Sequence, residues 1–103
     1  MVFKKGKSFK ESFLILRFVS AKAKDFRCGI VVSKKVSKKA FVRNKIKRRI
    51  RAIVRPMIPK IKKKTDTVLF ALPGLEKKDF WETEKIIDKL FKKAKLISPE
   101  GGI

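Results

Sequence analysis

The chain has no histidine, no tyrosine and a single cysteine, Cys28. Without histidine the commonest general acid–base side chain is missing. One cysteine can form neither an internal disulfide nor a zinc site. Lying between Arg27 and Gly29 in an apolar run, Cys28 reads as a small buried hydrophobe. Acids are scarce, nine against thirty Lys and Arg, and Glu11, Asp25, Asp66, Glu76 and Glu100 stand isolated. Metal-dependent nucleases gather carboxylates around their ions, and no such cluster is visible, nor a Gly-rich phosphate loop or a nucleophile–base pair. Glu84 and Asp88 are four apart, but among lysines they read as surface. The expected set of catalytic and metal-ligating residues is therefore empty. Long hydrophobic runs are absent too: "FLIL" (Phe13–Leu16) and "GIVV" (Gly29–Val32) fall far short of the roughly 18 residues that span a bilayer. The N-terminus lacks the apolar stretch of a signal peptide, so the expected compartment is the cytoplasm.

What is present is positive charge. The net charge is +21, which destabilises a compact chain by self-repulsion and draws it to polyanions. At 103 residues there is room for one core, and 44% hydrophobic residues can build it despite 38% charged ones. "SFLILRF" (Ser12–Phe18) and "FRCGIVVSKK" (Phe26–Lys35) read as strands, the second with Cys28, Ile30 and Val32 on one face. Their short polar link, holding Lys22, Lys24 and Asp25, suggests an antiparallel pair. Val42, Ile46, Ile50, Ile53, Val54 and Met57 fall at helical spacing, predicting a helix over about 39–55 that Pro56 and Pro59 end. A basic linker, "KIKKKTD", leads to a third strand, "TVLFALP" (Thr67–Pro73). Asp79 and Glu82 then form a capping-box pair opening a last helix whose inward stripe is Phe80, Thr83, Ile87, Leu90, Phe91 and Ala94. The order implies an α+β sandwich with helices packed on a sheet.

No acid occurs between Asp25 and Asp66, an interval holding sixteen Lys and Arg. A solvated helix face normally mixes signs, with Glu and Lys four apart. The last helix does so (Glu82 with Lys85, Asp88 with Lys92), but the central helix does not. Arg43, Asn44, Lys47, Arg48 and Arg51 should face outward together and meet a polyanion, the arginines engaging phosphate oxygens in pairs. Asn44 has two open readings, a contact to a base edge or sugar hydroxyl and a helix-start bond to the backbone. "SFLILRF" is apolar on both faces, more than a half-wet sheet needs, and an exposed aromatic sheet face can stack unpaired bases. For any single Phe, core packing remains the other reading.

"GIVVSKKVSKKAFVRNKIKRRIRAIVR" (Gly29–Arg55) resembles the motif region of the bacterial ribonuclease P protein subunit family. That family joins a strand ending in Ser-Lys-Lys to a basic helix with an Arg-Asn-Arg-x-x-Lys-Arg-x-x-Arg pattern. "VFKKGKS" (Val2–Ser8) is similar to the segment after the family's first helix, and "KDFWETEKIIDKLFKKAKL" to its final helix. The resemblance implies helix, three strands, helix, strand, helix in one domain over 1–97, with the first helix largely missing and 98–103 a flexible tail. It also implies a two-layer sandwich with a mainly antiparallel sheet and a left-handed βαβ crossover, the fold type of a small-subunit ribosomal protein's second domain. The implied role is to bind a catalytic RNA that, with its Mg2+ ions, removes the 5′ leader from precursor tRNA. The protein would hold that leader in a cleft between sheet and first helix, and no obligate protein partner is implied. Lys34, Lys35, Arg43, Asn44, Lys45, Lys47, Arg48 and Arg51 would then face RNA, with Phe3 and Phe13 beside the leader. Lys45 stands where the motif has Arg, and Ser37 where Gly is usual. Two rivals predict other patterns. A structural ribosomal or ribosome-assembly protein would not be expected to carry this helix after Ser-Lys-Lys, and a major-groove DNA reader would need a helix-turn-helix partner before it.

Overall fold

The computed structural model describes residues 8–20, 24–61 and 63–97. Expectations for Phe3 and the rest of 2–7, for Lys22 and for the tail 98–103 lie outside them. The elements run β1 (Ser8–Glu11), β2 (Leu14–Ser20), β3 (Arg27–Val32), α1 (Ala40–Val54), β4 (Asp66–Ala71) and α2 (Phe80–Lys93). Three strands thus precede the central helix, as the resemblance implied, where hydrophobic pattern alone marked two. β1 is short and carries two polar residues facing out, so it leaves little periodic signal.

The sheet order is β1-β2-β4-β3. β2 and β3 are therefore not the expected antiparallel pair. β4 lies between them, antiparallel to β2 and parallel to β3, with Leu69 beside both Leu16 and Ile30. A short link does not oblige two strands to pair; the strand best able to satisfy both its edges inside apolar surroundings takes the centre. Because β3 and β4 are parallel, the chain must return one strand length between them, and α1 makes that return.

Alternation along the strands divides the sheet into two faces. Leu14, Leu16 and Leu69 are fully buried on one, beneath Ile46, Ile50, Ile53 and Val54 of α1 and Ile87, Leu90 and Phe91 of α2. Helix α1 lies against β3, and α2 against β1 and β2. On the other face Ile15, Val68 and Phe70 are half-buried, while Arg17 and Val31 are exposed. No described element covers that face.

The two helices differ at their starts. Asp79 accepts from the Glu82 amide at 2.8 Å and Glu82 accepts from the Asp79 amide at 3.2 Å, completing the expected capping box. Lys92 and Lys93 occupy the last turn of α2, where a helix favours cations. Of its expected stripe, Thr83, Ile87, Leu90, Phe91 and Ala94 are buried, Ile86 joins them, and Phe80 is exposed. Helix α1 begins at Lys39 with no side-chain cap and no acid in its first turn. It ends at Val54, and Pro56 and Pro59 fall in a 3₁₀ helix from Arg55 to Lys60.

Candidate nucleic-acid interface

Helix α1 puts positive charge where a helix least favours it. Lys38, Lys39 and Arg43 surround the positive end of its dipole, and no carboxylate offsets them. Such an arrangement is stabilised by an anion from outside the chain. The apolar stripe holds the helix on the sheet and so decides which side chains are left outward. At about 100° per residue, Asn44, Arg48, Arg51 and Arg55 fall within about 60° of arc, a strip about 16 Å long opposite the stripe. All four are exposed, as is Lys45 beside them. Asn44 makes no hydrogen bond among the described residues, which leaves its amide outward and removes the helix-start reading. Arg55 was absent from the expected site; its spacing from Arg48 and Arg51, seven and four residues, could have found it.

Not every arginine on α1 is available. Arg43 is half-buried and its Nη1 donates to the carbonyl oxygens of Ser37 and Lys38, each at 3.0 Å. It thereby ties the β3–α1 loop to the helix, a task a lysine's point charge would do poorly. Arg49 Nη1 donates to the Lys78 carbonyl oxygen at 2.7 Å and docks α1 onto the turn before α2. Lys47 is half-buried on the flank. Lys34 and Lys35 are exposed in the same loop, where Ser33 Oγ accepts from the Lys35 amide at 3.2 Å. Ser33 and Ser37, whose Oγ accepts from the Lys39 amide, shape this loop without glycine.

The uncovered sheet face carries a second feature. Ile15, Arg17, Val31, Ser33, Phe70, Ala71 and Leu72 line a shallow groove of about 310 Å3. The Arg17 guanidinium carbon lies 6.0 Å from the Phe70 ring centre, so an aromatic and a cation stand side by side on the sheet. Phe13, expected beside the leader, is not among the lining residues. Ser12, with φ +52°, turns the chain between β1 and β2, and the Phe13 ring lies against Gly74 with Lys78 Nζ 5.2 Å from its centre. Phe70 is the sheet aromatic that faces outward, and alternation from the buried Leu69 is the signal that could have singled it out.

Half of the carboxylates among the described residues are engaged by cations of the chain. Arg27 holds Asp66 at 2.8 and 3.2 Å, Lys93 holds Glu11 at 2.9 Å and Lys92 holds Asp88 at 2.9 Å. The Lys93 contact keeps the Glu11 carboxyl below the usual carboxylate range. No three His, Cys, Asp or Glu side chains gather among the described residues, and no described helix is long and apolar enough to cross a membrane.

A family model described as Ribonuclease P matches residues 1–95. The "Ribonuclease P protein component" of Syntrophomonas wolfei is 40% identical over 97 residues, covering 94% of this chain and 81% of its own. The protein of the same description from Synechocystis is 38% identical, covering 93% of this chain and 78% of its own. Among solved structures, the RNase P protein of Staphylococcus aureus superposes with a TM-score of 0.82 at 30% identity, over 94% of this chain and 88% of that one. The RNase P protein from Thermotoga maritima, in complex with 1-(4-fluorophenyl)-2-thiourea, gives 0.78 at 33% identity, over 89% of each chain.

Proposed function

The chain belongs to the ribonuclease P protein component family, and on that premise we propose that it binds the catalytic RNA of ribonuclease P and the 5′ leader of precursor tRNA. The outer face of α1 and the loop before it take the RNA subunit. Lys34, Lys35, Asn44, Lys45, Lys47, Arg48 and Arg51 contact it there, Arg55 extends the strip, and Arg43 shapes the loop as well as adding charge. The observation that carries this reading is the row of exposed cations on one helix face, unpaired among the described residues, together with Lys38 and Lys39 at a helix start that an anion from outside would stabilise.

The open sheet face takes the leader. Phe70 offers a ring to an unpaired base, Ile15 and Val31 give it an apolar floor, and Arg17 supplies the charge for the adjoining phosphate. Phe13, at the end of that face, supports the loop at Gly74, and Phe3 would border the leader on the N-terminal side.

Hydrolysis falls to the RNA and its Mg2+ ions. The described carboxylates of this chain do not fit a magnesium site, because they are dispersed and half of them are paired with Lys or Arg. What the protein supplies is screening: cations along α1 lower the repulsion between two RNA backbones, which otherwise calls for high Mg2+. Added to a bacterial ribonuclease P RNA at low Mg2+ with precursor tRNA, the protein should restore leader cleavage, read as release of the leader at the mature 5′ end. No stimulation of the matching RNA would overturn the proposal.

A further inference from the structure

The basic linker after α1 has the properties of a binding surface and is used by none of the contacts above. Its course follows from the crossover. Helix α1 carries the chain from the C-terminal end of β3 back to the N-terminal end of β4. Fifteen helical residues span about 22 Å. The loop 34–39 and the described residues 60–61 and 63–65 therefore sit at opposite ends of the sheet.

That segment is anchored at both ends. Ile61 is buried in the core, and its amide donates to the Ile58 carbonyl oxygen at 2.9 Å. At the other end Thr65 is buried and its carbonyl oxygen accepts from the Arg27 amide at 3.0 Å. Between them Lys63 and Lys64 are exposed, as is Lys60 just before. Of the acids nearby, Asp66 and Asp25 both act on Arg27, Asp66 through two hydrogen bonds and Asp25 through its charge, while Glu84 and Asp88 line a groove with Lys60 and Asp88 is held by Lys92. Lys60, Lys63 and Lys64 form no ion pair among the described residues. Lys63 Nζ stands 5.6 Å from the ring centre of Phe18, which shares its face with Leu14 and Leu16. Lys63 is therefore presented on the helix side of the sheet, and Lys60 lines a groove between α1 and α2 on that side, away from the groove around Phe70.

We propose that Lys60, Lys63 and Lys64 form a second phosphate-binding surface for the ribonuclease P RNA, separate from the α1 strip. The protein then bridges two backbone segments of the RNA instead of gripping one. Three like charges in an anchored segment, with three of the four nearby acids committed elsewhere and Glu84 left against them, keep a net positive surface that a polyanion stabilises. The position of Lys60 and Lys63 on the helix side selects the RNA subunit over the leader, which the opposite face receives. The inference rests on the proposed function, and its test separates the two.

The test compares three variants in binding to ribonuclease P RNA across a salt series, with nuclease footprinting of each complex. Lys60→Gln/Lys63→Gln/Lys64→Gln should lower the slope of log K against log salt by about 2 to 3, from about 0.7–0.9 per lost phosphate contact. It should also lose protection at nucleotides that Arg48→Ala/Arg51→Ala leaves protected. Lys10→Gln/Lys77→Gln/Lys95→Gln, which removes equal charge from exposed sites on β1, before α2 and after it, should change neither. The inference is overturned if the linker variant keeps the wild-type slope, if this control variant loses as much, or if the linker and Arg48/Arg51 variants lose the same nucleotides. It is also overturned if the only effect is weaker binding of leader-bearing substrate to the assembled holoenzyme. Failure of the unaltered protein to bind the RNA would instead bring down the proposed function. Circular dichroism of each variant verifies the fold.

Discussion

Four arginines on one helix should respond to mutation in different ways, because the structure gives them different partners. Arg48 and Arg51 are exposed and bond to nothing among the described residues. Replacing both by Ala should change stability by no more than about 0.5 kcal/mol, and upward if anything, since it relieves self-repulsion. RNA binding should suffer instead. Two lost phosphate contacts reduce the salt slope by about 1.4–1.8, so the deficit at 50 mM salt should exceed that at 200 mM roughly tenfold. Arg49→Ala removes the 2.7 Å bond to the Lys78 carbonyl oxygen. The group is half-buried, so water recovers part of that bond and about 1 kcal/mol should be lost. For a domain of this size that is about 4–8 °C in Tm, with the salt slope unchanged. Arg43→Ala should do both, since two carbonyl bonds hold the loop while its charge lies at the helix start. Thermal unfolding followed by circular dichroism, paired with filter binding over a salt series, reads both quantities on the same samples. A normal Tm with a reduced salt slope for Arg49→Ala would refute the reasoning, as would a Tm drop of several degrees for Arg48→Ala/Arg51→Ala.

Phe70→Ala should weaken holoenzyme affinity for leader-bearing precursor tRNA by about 1–3 kcal/mol, the range for one stacked base, and leave binding of the RNA subunit unchanged; equal loss for leaderless tRNA would count against the sheet-face site. Gly74 has φ +110°, and a Cβ there would lie 2.5 Å from Phe13 Cε1. Gly74→Ala should cost about 2–4 kcal/mol in urea unfolding, and adding Phe13→Ala should not deepen that loss by its full separate cost, because the clash is gone. The Cys28 thiol is pushed up by burial, partly offset by a bond with Thr67. Because the thiolate is the reactive form, alkylation at pH 8 should be slower in the folded protein than in urea and should rise as pH passes above the ordinary thiol range; equal rates would show the thiol to be unprotected.

Much of this was legible in order of residues. Local periodicity located α1 to within a residue at each end, because an apolar stripe at helical spacing needs only neighbours in sequence to be recognised. The capping box of α2 was readable for the same reason, as both its partners lie within four residues. So was the outward direction of Asn44, Arg48 and Arg51, which follows once the stripe is docked. The Ser-Lys-Lys strand with its basic helix carried the family resemblance, and that resemblance supplied the third early strand.

Strand order was beyond local reading. Nothing between Phe18 and Phe26 announces that β4 will enter between β2 and β3, since the partner lies some forty residues on. The same holds for which arginines are free. Arg48 and Arg49 are adjacent and chemically identical in sequence, yet one meets solvent and the other the Lys78 carbonyl, 29 positions away. The surroundings of Phe13 and Phe70 were equally hidden: a turn sets the first against Gly74, while the second lines the open groove of the sheet. Net charge, amphipathic faces and helix caps are properties of neighbours along the chain, so sequence alone determines them. Strand order, the open groove and the availability of each cation depend on groups brought close by folding, and those only the tertiary structure decides.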